Sequence, residues 1–153
     1  MKKLKLIPLL FAVVLFFTGC TKEYVTFASQ TVSYEYTIVP ANWERNQGPN
    51  EPGGDNYLYA TFRNTDINEN VMQNGMVTAD IYLIYDTQHN VGAWNPLPYV
   101  YPLEMSDGTI LPENIRFEWE QGKVTFIIQD LYGNDPADLN STLNIRVNVT
   151  SNL

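Results

Sequence analysis

The sequence predicts an all-β protein, an antiparallel β-sandwich of about seven strands that follows an N-terminal signal peptide. Apolar side chains recur at every second position in several short segments, and a sustained helical period is nearly absent. Turn-forming residues, among them 9 Gly and 9 Pro, separate these segments. The chain has 153 residues, of which 44% are hydrophobic, and this suffices for the core of one domain.

The first nineteen residues are typical of a signal peptide. Three lysines precede an uninterrupted apolar run from Leu6 to Phe17. This run of twelve residues is too short to cross about 30 Å of hydrocarbon as a helix. We therefore expect a leader that is removed rather than a transmembrane helix.

The leader ends in Phe17-Thr18-Gly19-Cys20, and Cys20 is the only cysteine of the chain. This motif resembles the lipobox of bacterial lipoproteins, although Phe17 stands where Leu is usual. The resemblance implies loss of residues 1–19, lipid (palmitate) on Cys20, a tether at residues 20–29 and a β-sandwich domain at residues 30–153. The residue after Cys20 is Thr21, whereas lipoproteins retained in the inner membrane typically have Asp at this position. The resemblance therefore also implies anchoring in the outer membrane, on either its periplasmic or its extracellular face.

Loss of the leader makes the chain strongly anionic. Nine Lys and Arg, less the three in the leader, leave six against 17 Asp and Glu, a formal charge of -11. Such a chain has no basic surface for nucleic acid, so nucleic-acid partners are excluded and the lipid is the expected link to the membrane. With Cys20 lipidated, no thiol remains for a disulfide or a nucleophile.

We expect seven strand segments: residues 31–38, 57–63, 77–85, 92–102, 115–120, 123–129 and 143–149. Residues 77–85 are apolar on both faces, which predicts burial on both. Three prolines restrict residues 92–102 to a sheet edge. Between strands we expect a long loop at Asn42–Asp55, a helical turn ended by Gly75 and a hairpin turn at Gln121-Gly122. This pattern favours an Ig-like or jelly-roll-like sandwich.

The order of features also resembles a group of small Bacteroidetes lipoproteins that have a β-sandwich domain and no agreed activity. The residues that resemble this group are the lipobox, Trp43 after the first strand, Asn74-Gly75-Met76-Val77, Ile81-Tyr82-Leu83-Ile84-Tyr85, Trp94 before Leu97-Pro98-Tyr99, and Gly122-Lys123-Val124-Thr125-Phe126. The resemblance implies the fold and the location. It implies no catalytic residues.

Few residues suit metal binding or a catalytic triad. His89 is the only His, and no serine lies in a Gly-x-Ser-x-Gly motif, so an exposed loop His is the simpler interpretation. One His and one lipidated Cys cannot form a zinc site. Calcium would accept the oxygens of Asp66–Asn70 and Asp130–Asp138, but Val71 stands where a calcium loop has glycine, and solvated acidic loops are the simpler interpretation. We expect no metal and no cofactor.

Four glutamates, Glu104, Glu113, Glu118 and Glu120, could in principle form the carboxylate pair of a glycosidase. Glu118 and Glu120, however, share one face of a predicted strand. The simpler interpretation is that this face is the solvent-exposed side of a sheet. We therefore expect no enzymatic activity.

The aromatic residues Trp94, Tyr99 and Tyr101 are the predicted candidates for ligand binding. They lie in a proline-stiffened segment, and exposed aromatic faces beside amides and carboxylates can stack on sugar rings. The alternative is that they fill the inside of the sandwich. An exposed coplanar set would favour binding, and an interlocked buried set would favour packing.

Two functions therefore stay open. The first is a lipid-anchored binding or structural module of the cell envelope, whose partner is another envelope protein or an extracellular ligand. The second is a glycan-binding accessory lipoprotein of a polysaccharide-uptake system.

Overall fold

The computed structural model describes residues 28–46, 56–104, 108–132, 136 and 141–152. Cys20, the leader and most of the tether lie outside the described residues, so lipidation of Cys20 stays a prediction. The strands are β1 Ser29–Ile38, β2 Glu44–Arg45, β3 Leu58–Arg63, β4 Met76–Asp86, β5 Val91–Pro96, β6 Tyr99–Glu104, β7 Ile110–Glu120, β8 Lys123–Asp130 and β9 Leu143–Asn152.

The strands form two antiparallel sheets that pack face to face, which confirms the predicted β-sandwich. One sheet has four strands in the order β1-β9-β4-β5, and the other has five in the order β2-β3-β8-β7-β6. The described strands number nine rather than about seven. The two-residue β2 interrupts the predicted loop at Asn42–Asp55. The predicted edge segment at residues 92–102 is divided between β5 and β6.

The core lies between the inner faces of the two sheets, and its side chains come from alternate positions of the strands. Tyr36 of β1, Phe62 of β3 and Phe126 of β8 contact one another with ring centroids 5.2 to 6.0 Å apart. The Tyr36 hydroxyl accepts a hydrogen bond from Asn64 Nδ2 at 3.0 Å. Burial raises the pKa of the Tyr36 hydroxyl above its usual value.

Strand β4 alternates between core and solvent, so the prediction that both of its faces are buried is wrong. Val77, Ala79 and Ile81 are buried, whereas Ile84 is 51% exposed. The strand is internal to its sheet, as predicted, because β9 and β5 pair with its two edges. Its second face is nevertheless the outer surface of a two-layer protein, where no third layer covers it.

The described part of the chain contains one α-helix, α1 at Glu69–Asn74, which connects β3 to β4. Asn68 caps it by accepting a hydrogen bond at Oδ1 from Val71 N. Gly75 ends the helix, as predicted, but its φ of −104° is not left-handed. A Cβ at Gly75 would lie 2.4 Å from the Thr150 carbonyl oxygen, so the close approach of α1 to β9 requires glycine. Among the described residues, no helix is both long and apolar enough to cross a bilayer.

The two ends of the sandwich differ. At one end, here called the terminal end, β1 begins at Ser29 opposite Asn152, where β9 ends. The helix α1 and the β7–β8 turn also lie here, because Gly122 N donates to the Ile67 carbonyl and Asn70 Nδ2 donates to the Asn152 carbonyl. At the opposite end, here called the loop end, the strands are joined by the connections β1–β2, β2–β3, β4–β5, β6–β7 and β8–β9.

We predict that Ile81→Ala lowers the free energy of unfolding by about 2 to 5 kcal/mol, because Ile81 is fully buried and the truncation leaves a cavity. Ile84→Ala is the matched control, since it removes the same atoms from the exposed face of the same strand and should cost less than about 1 kcal/mol. Urea denaturation measures both. Equal losses for the two variants would contradict the assignment of the faces of β4.

Candidate functional site

The structure places the three predicted aromatic residues on two different sheets. Trp94 lies in β5 opposite Tyr82, on the outer face of the four-stranded sheet. Tyr99 and Tyr101 lie in β6 opposite Ile115 and Glu113, on the inner face of the five-stranded sheet. The chain crosses between the sheets at Leu97-Pro98, which is a cis peptide bond. Trp94 on the one side, and Tyr99 with Tyr101 on the other, therefore do not form one surface.

Trp94 belongs to an aromatic corner on the outer face. Its ring centroid lies 5.2 Å from that of Tyr82, with the planes inclined by 58°. The guanidinium carbon of Arg146 lies 4.4 Å from the Trp94 ring centroid, a cation–π contact. Arg146 Nη2 also reaches Asp80 Oδ2 at 3.3 Å. These contacts hold the indole against the sheet while the residue stays partly exposed.

A shallow depression of about 210 Å³ adjoins this corner, here called the outer-face depression. Its lining comes from all four strands of that sheet: Glu35, Tyr36, Thr37, Tyr82, Trp94 and Asn144. Thr37 Oγ1 donates a hydrogen bond to Asn144 Oδ1 at 3.1 Å. The depression thus combines two aromatic side chains with a hydroxyl, an amide and a carboxylate, groups that stack on and hydrogen-bond to a polyol.

A larger cavity, about 500 Å³, opens between the two sheets toward the loop end, and it is here called the inter-sheet cleft. Its apolar lining includes Ile81, Leu83, Ile115 and Leu143. Its remaining lining comprises Tyr82, Ile84, Tyr85, Tyr99, Tyr101, Pro102, Glu113, Ser141, Thr142 and Asn144. A cavity of this size with mainly apolar walls and few polar groups is typical of a small-molecule site.

Tyrosines are prominent in the lining of the cleft. Tyr101 is 40% exposed and Tyr85 is 61% exposed, whereas Tyr99 is partly buried against the core. The Tyr85 hydroxyl donates to Asn95 Oδ1 at 3.0 Å, which fixes its ring along the inner side of β5.

Among the described residues that line the cleft, Glu113 is the one with a carboxyl group, and it is only 2% exposed. It lies between Tyr101 on β6 and Asp130 on β8 in the cross-strand register. Asp130 is also buried, and its Oδ1 accepts a hydrogen bond from Tyr132 N at 2.8 Å. Two carboxyl groups thus occupy adjacent inner positions of one sheet.

The glutamates considered as a glycosidase pair do not converge. Glu113 points to the inner face of β7, and Glu118 and Glu120 lie on the exposed outer face of the same strand. Glu118 forms an ion pair with Arg116, and Glu120 pairs with Lys123 at 2.7 Å. The side chain of Glu104 is not among those described.

His89 lies in the turn between β4 and β5, and its side chain is 73% exposed. Its Nδ1 is 2.6 Å from Asp86 Oδ2, and this contact lowers the pKa of the Asp86 carboxyl group. Asp86 Oδ1 also accepts from the backbone N–H of Gln88, so the pair stabilises the turn.

Within the candidate calcium-binding stretch Asp66–Asn70, side-chain oxygens make contacts that stabilise the fold. Asn68 caps α1, and Asp66 accepts a hydrogen bond from the Tyr34 hydroxyl, which raises the pKa of Tyr34 to about 12. The second stretch, Asp130–Asp138, lies mostly outside the described residues. Within the described part of the chain, no three His, Cys, Asp or Glu side chains form a group that could hold a metal ion.

Tyr82, Tyr85, Arg146 and the burial of Glu113 were not anticipated as site features. Tyr82 alone had a signal in the sequence, because it is an aromatic residue on the polar side of β4, in line with Thr78 and Asp80. No family model, no curated protein and no solved structure matches the chain. The resemblance to Bacteroidetes lipoproteins therefore stays a prediction.

The two aromatic positions should differ in their effect on stability. We predict that Trp94→Ala costs about 1 to 2 kcal/mol, because it removes one aromatic pair and one cation–π contact at a partly exposed site. Tyr99→Ala should cost about 3 kcal/mol or more, because this ring packs against the core. Chemical denaturation of both variants tests the difference. A larger loss for Trp94→Ala would show that the indole is part of the core.

Proposed function

We propose that this protein is a non-catalytic binding module of the cell envelope, anchored to the outer membrane by lipid on Cys20, that takes its ligand at the end of the sandwich farthest from the anchor. The observation that supports this most directly is the position of the inter-sheet cleft. It opens at the loop end, whereas β1 begins at the terminal end.

The geometry separates ligand and membrane. The tether of residues 20–29 spans at most about 33 Å, at roughly 3.3 Å per residue. Strand β1 has ten residues and runs from the terminal end to the loop end, about another 33 Å. A ligand bound in the cleft therefore lies about the length of the domain from the point where the tether joins β1.

The connections also favour binding over a purely structural role. Five connections lie at the loop end, and the paired strands fix the positions of the residues from which these connections start. Connections on a rigid sandwich are where binding proteins of this architecture concentrate their contacts. A spacer without a ligand would need neither the cleft nor its tyrosine lining.

The anchor is tested first. Cys20→Ser should move the protein from the membrane fraction to the soluble fraction and abolish incorporation of labelled palmitate, because no other thiol can accept the lipid. A serine variant of Thr21 serves as the control, since it leaves the cysteine in place and should stay in the membrane fraction. Palmitate labelling that persists in Cys20→Ser would refute the anchor.

A second candidate function, glycan binding for a polysaccharide-uptake system, is favoured by the outer-face depression. There the Trp94 and Tyr82 rings adjoin Asn144, Thr37 and Glu35. The neighbouring Arg146 is paired with Asp80, so this surface has mixed rather than strongly negative charge. A neutral saccharide could stack on an aromatic ring there while its hydroxyls bond to the amide and the carboxylate.

We predict that any glycan selected from an array by the mature chain loses most of its binding in Trp94→Ala. Tyr101→Ala is the control, because it removes an aromatic side chain of similar exposure from the cleft and leaves the outer face intact. Glycan binding that is unchanged in Trp94→Ala and lost in Tyr101→Ala would move the glycan site to the cleft. Isothermal titration of both variants measures this.

A further inference from the structure

We propose that strand β1 is an interaction surface through which two copies of this chain pair, edge to edge and antiparallel, to form a dimer. The two four-stranded sheets then become one continuous sheet of eight strands. This inference goes beyond the proposed function, because it depends on neither the cleft nor the lipid. Two observations support it: the contrast between β1 and the other three sheet edges, and the fit of β1 to a second copy of itself.

Strand β1 is the outermost strand of its sheet, and among the described residues only β9 pairs with it. In an antiparallel pair every second residue directs its backbone N–H and C=O groups toward the neighbouring strand, and the residues between direct theirs away. About half of the ten residues of β1 therefore present donors and acceptors along its free edge. No described residue forms a backbone hydrogen bond to that edge. Such a row of groups is a template for another strand.

The other three edges have features that oppose strand addition. At the opposite edge of the same sheet, β5 has six residues and ends in Pro96. In the second sheet, β6 has six residues and includes Pro102, whose nitrogen has no hydrogen to donate. At the remaining edge β2 has only two residues, and the part of β3 beyond it ends in Arg63. Short strands, prolines and charged residues are the usual protection of a sheet edge.

Strand β1 lacks this protection. It has ten residues, contains no Pro, Lys or Arg, and pairs with β9 at ten consecutive positions without a bulge. Glu35 is its one charged residue. Val32 faces the core side and is nevertheless 37% exposed, whereas Val149 opposite it is buried. The edge is therefore long, regular and partly apolar, and such edges pair with other chains.

The sequence of β1 fits a second copy of itself when the two strands run antiparallel about a two-fold axis at Ser33. This register places Val32 opposite Tyr34 of the second copy, and Thr31 opposite Glu35 of the second copy. The two-fold symmetry repeats both pairs. Pairs of an aromatic and a β-branched residue stabilise neighbouring strands, whereas like charges directly opposite destabilise them. Because Glu35 lies opposite a hydroxyl group, the pairing brings no two charges together.

A dimer closed in this way does not grow further. A two-fold contact uses the same surface on both copies, so the pairing occupies the unprotected edge of each. The new sheet then ends at β5 on both sides. The net negative charge of the chain opposes association, but exposed charges more than about 8 Å apart are largely screened at physiological ionic strength. We therefore expect a dimer rather than a fibre.

The pairing is compatible with the proposed lipid anchor. Strand β1 begins at Ser29 in each copy, so the two tethers leave the paired strands at opposite ends. Each tether spans at most about 33 Å. Both reach one bilayer when the paired strands lie parallel to its surface.

Self-association is measured first, on the mature chain with Cys20→Ser, by sedimentation equilibrium from about 5 μM to about 500 μM. We expect a monomer–dimer equilibrium without larger species. Amide hydrogen exchange at the two ends of this range locates the contact. On dimerisation, exchange should slow by about tenfold or more in β1 and should not change in β5 or β6.

A cysteine cross-link examines the two-fold axis. Cys20 is the only cysteine of the chain, so Ser33→Cys in the Cys20→Ser background has a single thiol. Directly opposite residues of an antiparallel pair have Cα atoms about 4.5 to 5.5 Å apart, a distance that a disulfide spans, so mild oxidation should give a covalent dimer. Thr78→Cys is the matched control, because Thr78 is exposed in the same cross-strand row but lies on the internal strand β4. Its thiol should cross-link at least about tenfold more slowly.

A charged variant examines the pairing without a covalent bond. Ser33→Glu places two carboxylates opposite each other on the axis and should raise the dimer dissociation constant at least about tenfold. Thr78→Glu adds the same charge to the outer face of β4 and should change this constant less than about threefold, because it lies away from the contact. Circular dichroism shows whether each variant is folded. If Ser33→Glu is not folded, the cross-link and the amide exchange decide.

Four results would overturn the proposal. The first is a chain that stays monomeric at the highest concentration, and the second is a dimer whose slowed amides lie outside β1. The third is equal cross-linking of Ser33→Cys and Thr78→Cys, and the fourth is a folded Ser33→Glu that dimerises like the parent chain. None of these results changes the membrane partitioning of Cys20→Ser or the binding of a ligand, so the proposed function is tested separately.

Discussion

The pairing of β9 with both β1 and β4 is the constraint on which the rest of the structure depends. Although β9 is the last strand of the chain, it lies inside the four-stranded sheet, where Val149 is opposite both Val32 and Val77. Its Ile145, Val147 and Val149 are buried in the core. The first and last parts of the domain must therefore meet before this sheet exists, and such distant contacts are costly in chain entropy.

This pairing also gives the sandwich its polarity. Because β1 and β9 are antiparallel and in register from Ser29 with Asn152, the chain enters and leaves at the same end. The helix α1 covers that end, and its close approach to β9 requires Gly75. The β7–β8 turn also lies there, where Gly122 has a φ of +83° and forms two backbone hydrogen bonds to the β3–β4 connection. Five connections lie at the other end, where the cleft opens between the two sheets.

The two candidate surfaces differ in electrostatics because they lie on opposite sides of one sheet. On the outer face, Arg146 reaches both Trp94 and Asp80, and the local charges largely compensate. Inside the cleft, Glu113 is shielded from water, and the described lining residues include no Lys, Arg or His. A neutral, hydrogen-bonding ligand suits the first surface. The alternation of β4 places Ile81 and Leu83 in the cleft, whereas Tyr82 adjoins both surfaces.

The sequence by itself determined the fold class, most strand positions, the turn at Gly122 and the face of most strand residues, because the alternation of side chains along a strand is local. It also determined the charge and indicated a lipidation motif at Cys20. Only the tertiary structure decided that the segment from Trp94 to Tyr101 is shared between two sheets, although Pro96 and Pro98 already argued against one continuous strand. Likewise, only the pairing of β7 with β6 and β8 placed Glu113 next to Tyr101 and Asp130 in a cleft. A strand's period specifies which side chains share a face, but it does not specify which other strand lies beside that face or what covers it, because those contacts join residues far apart in the chain.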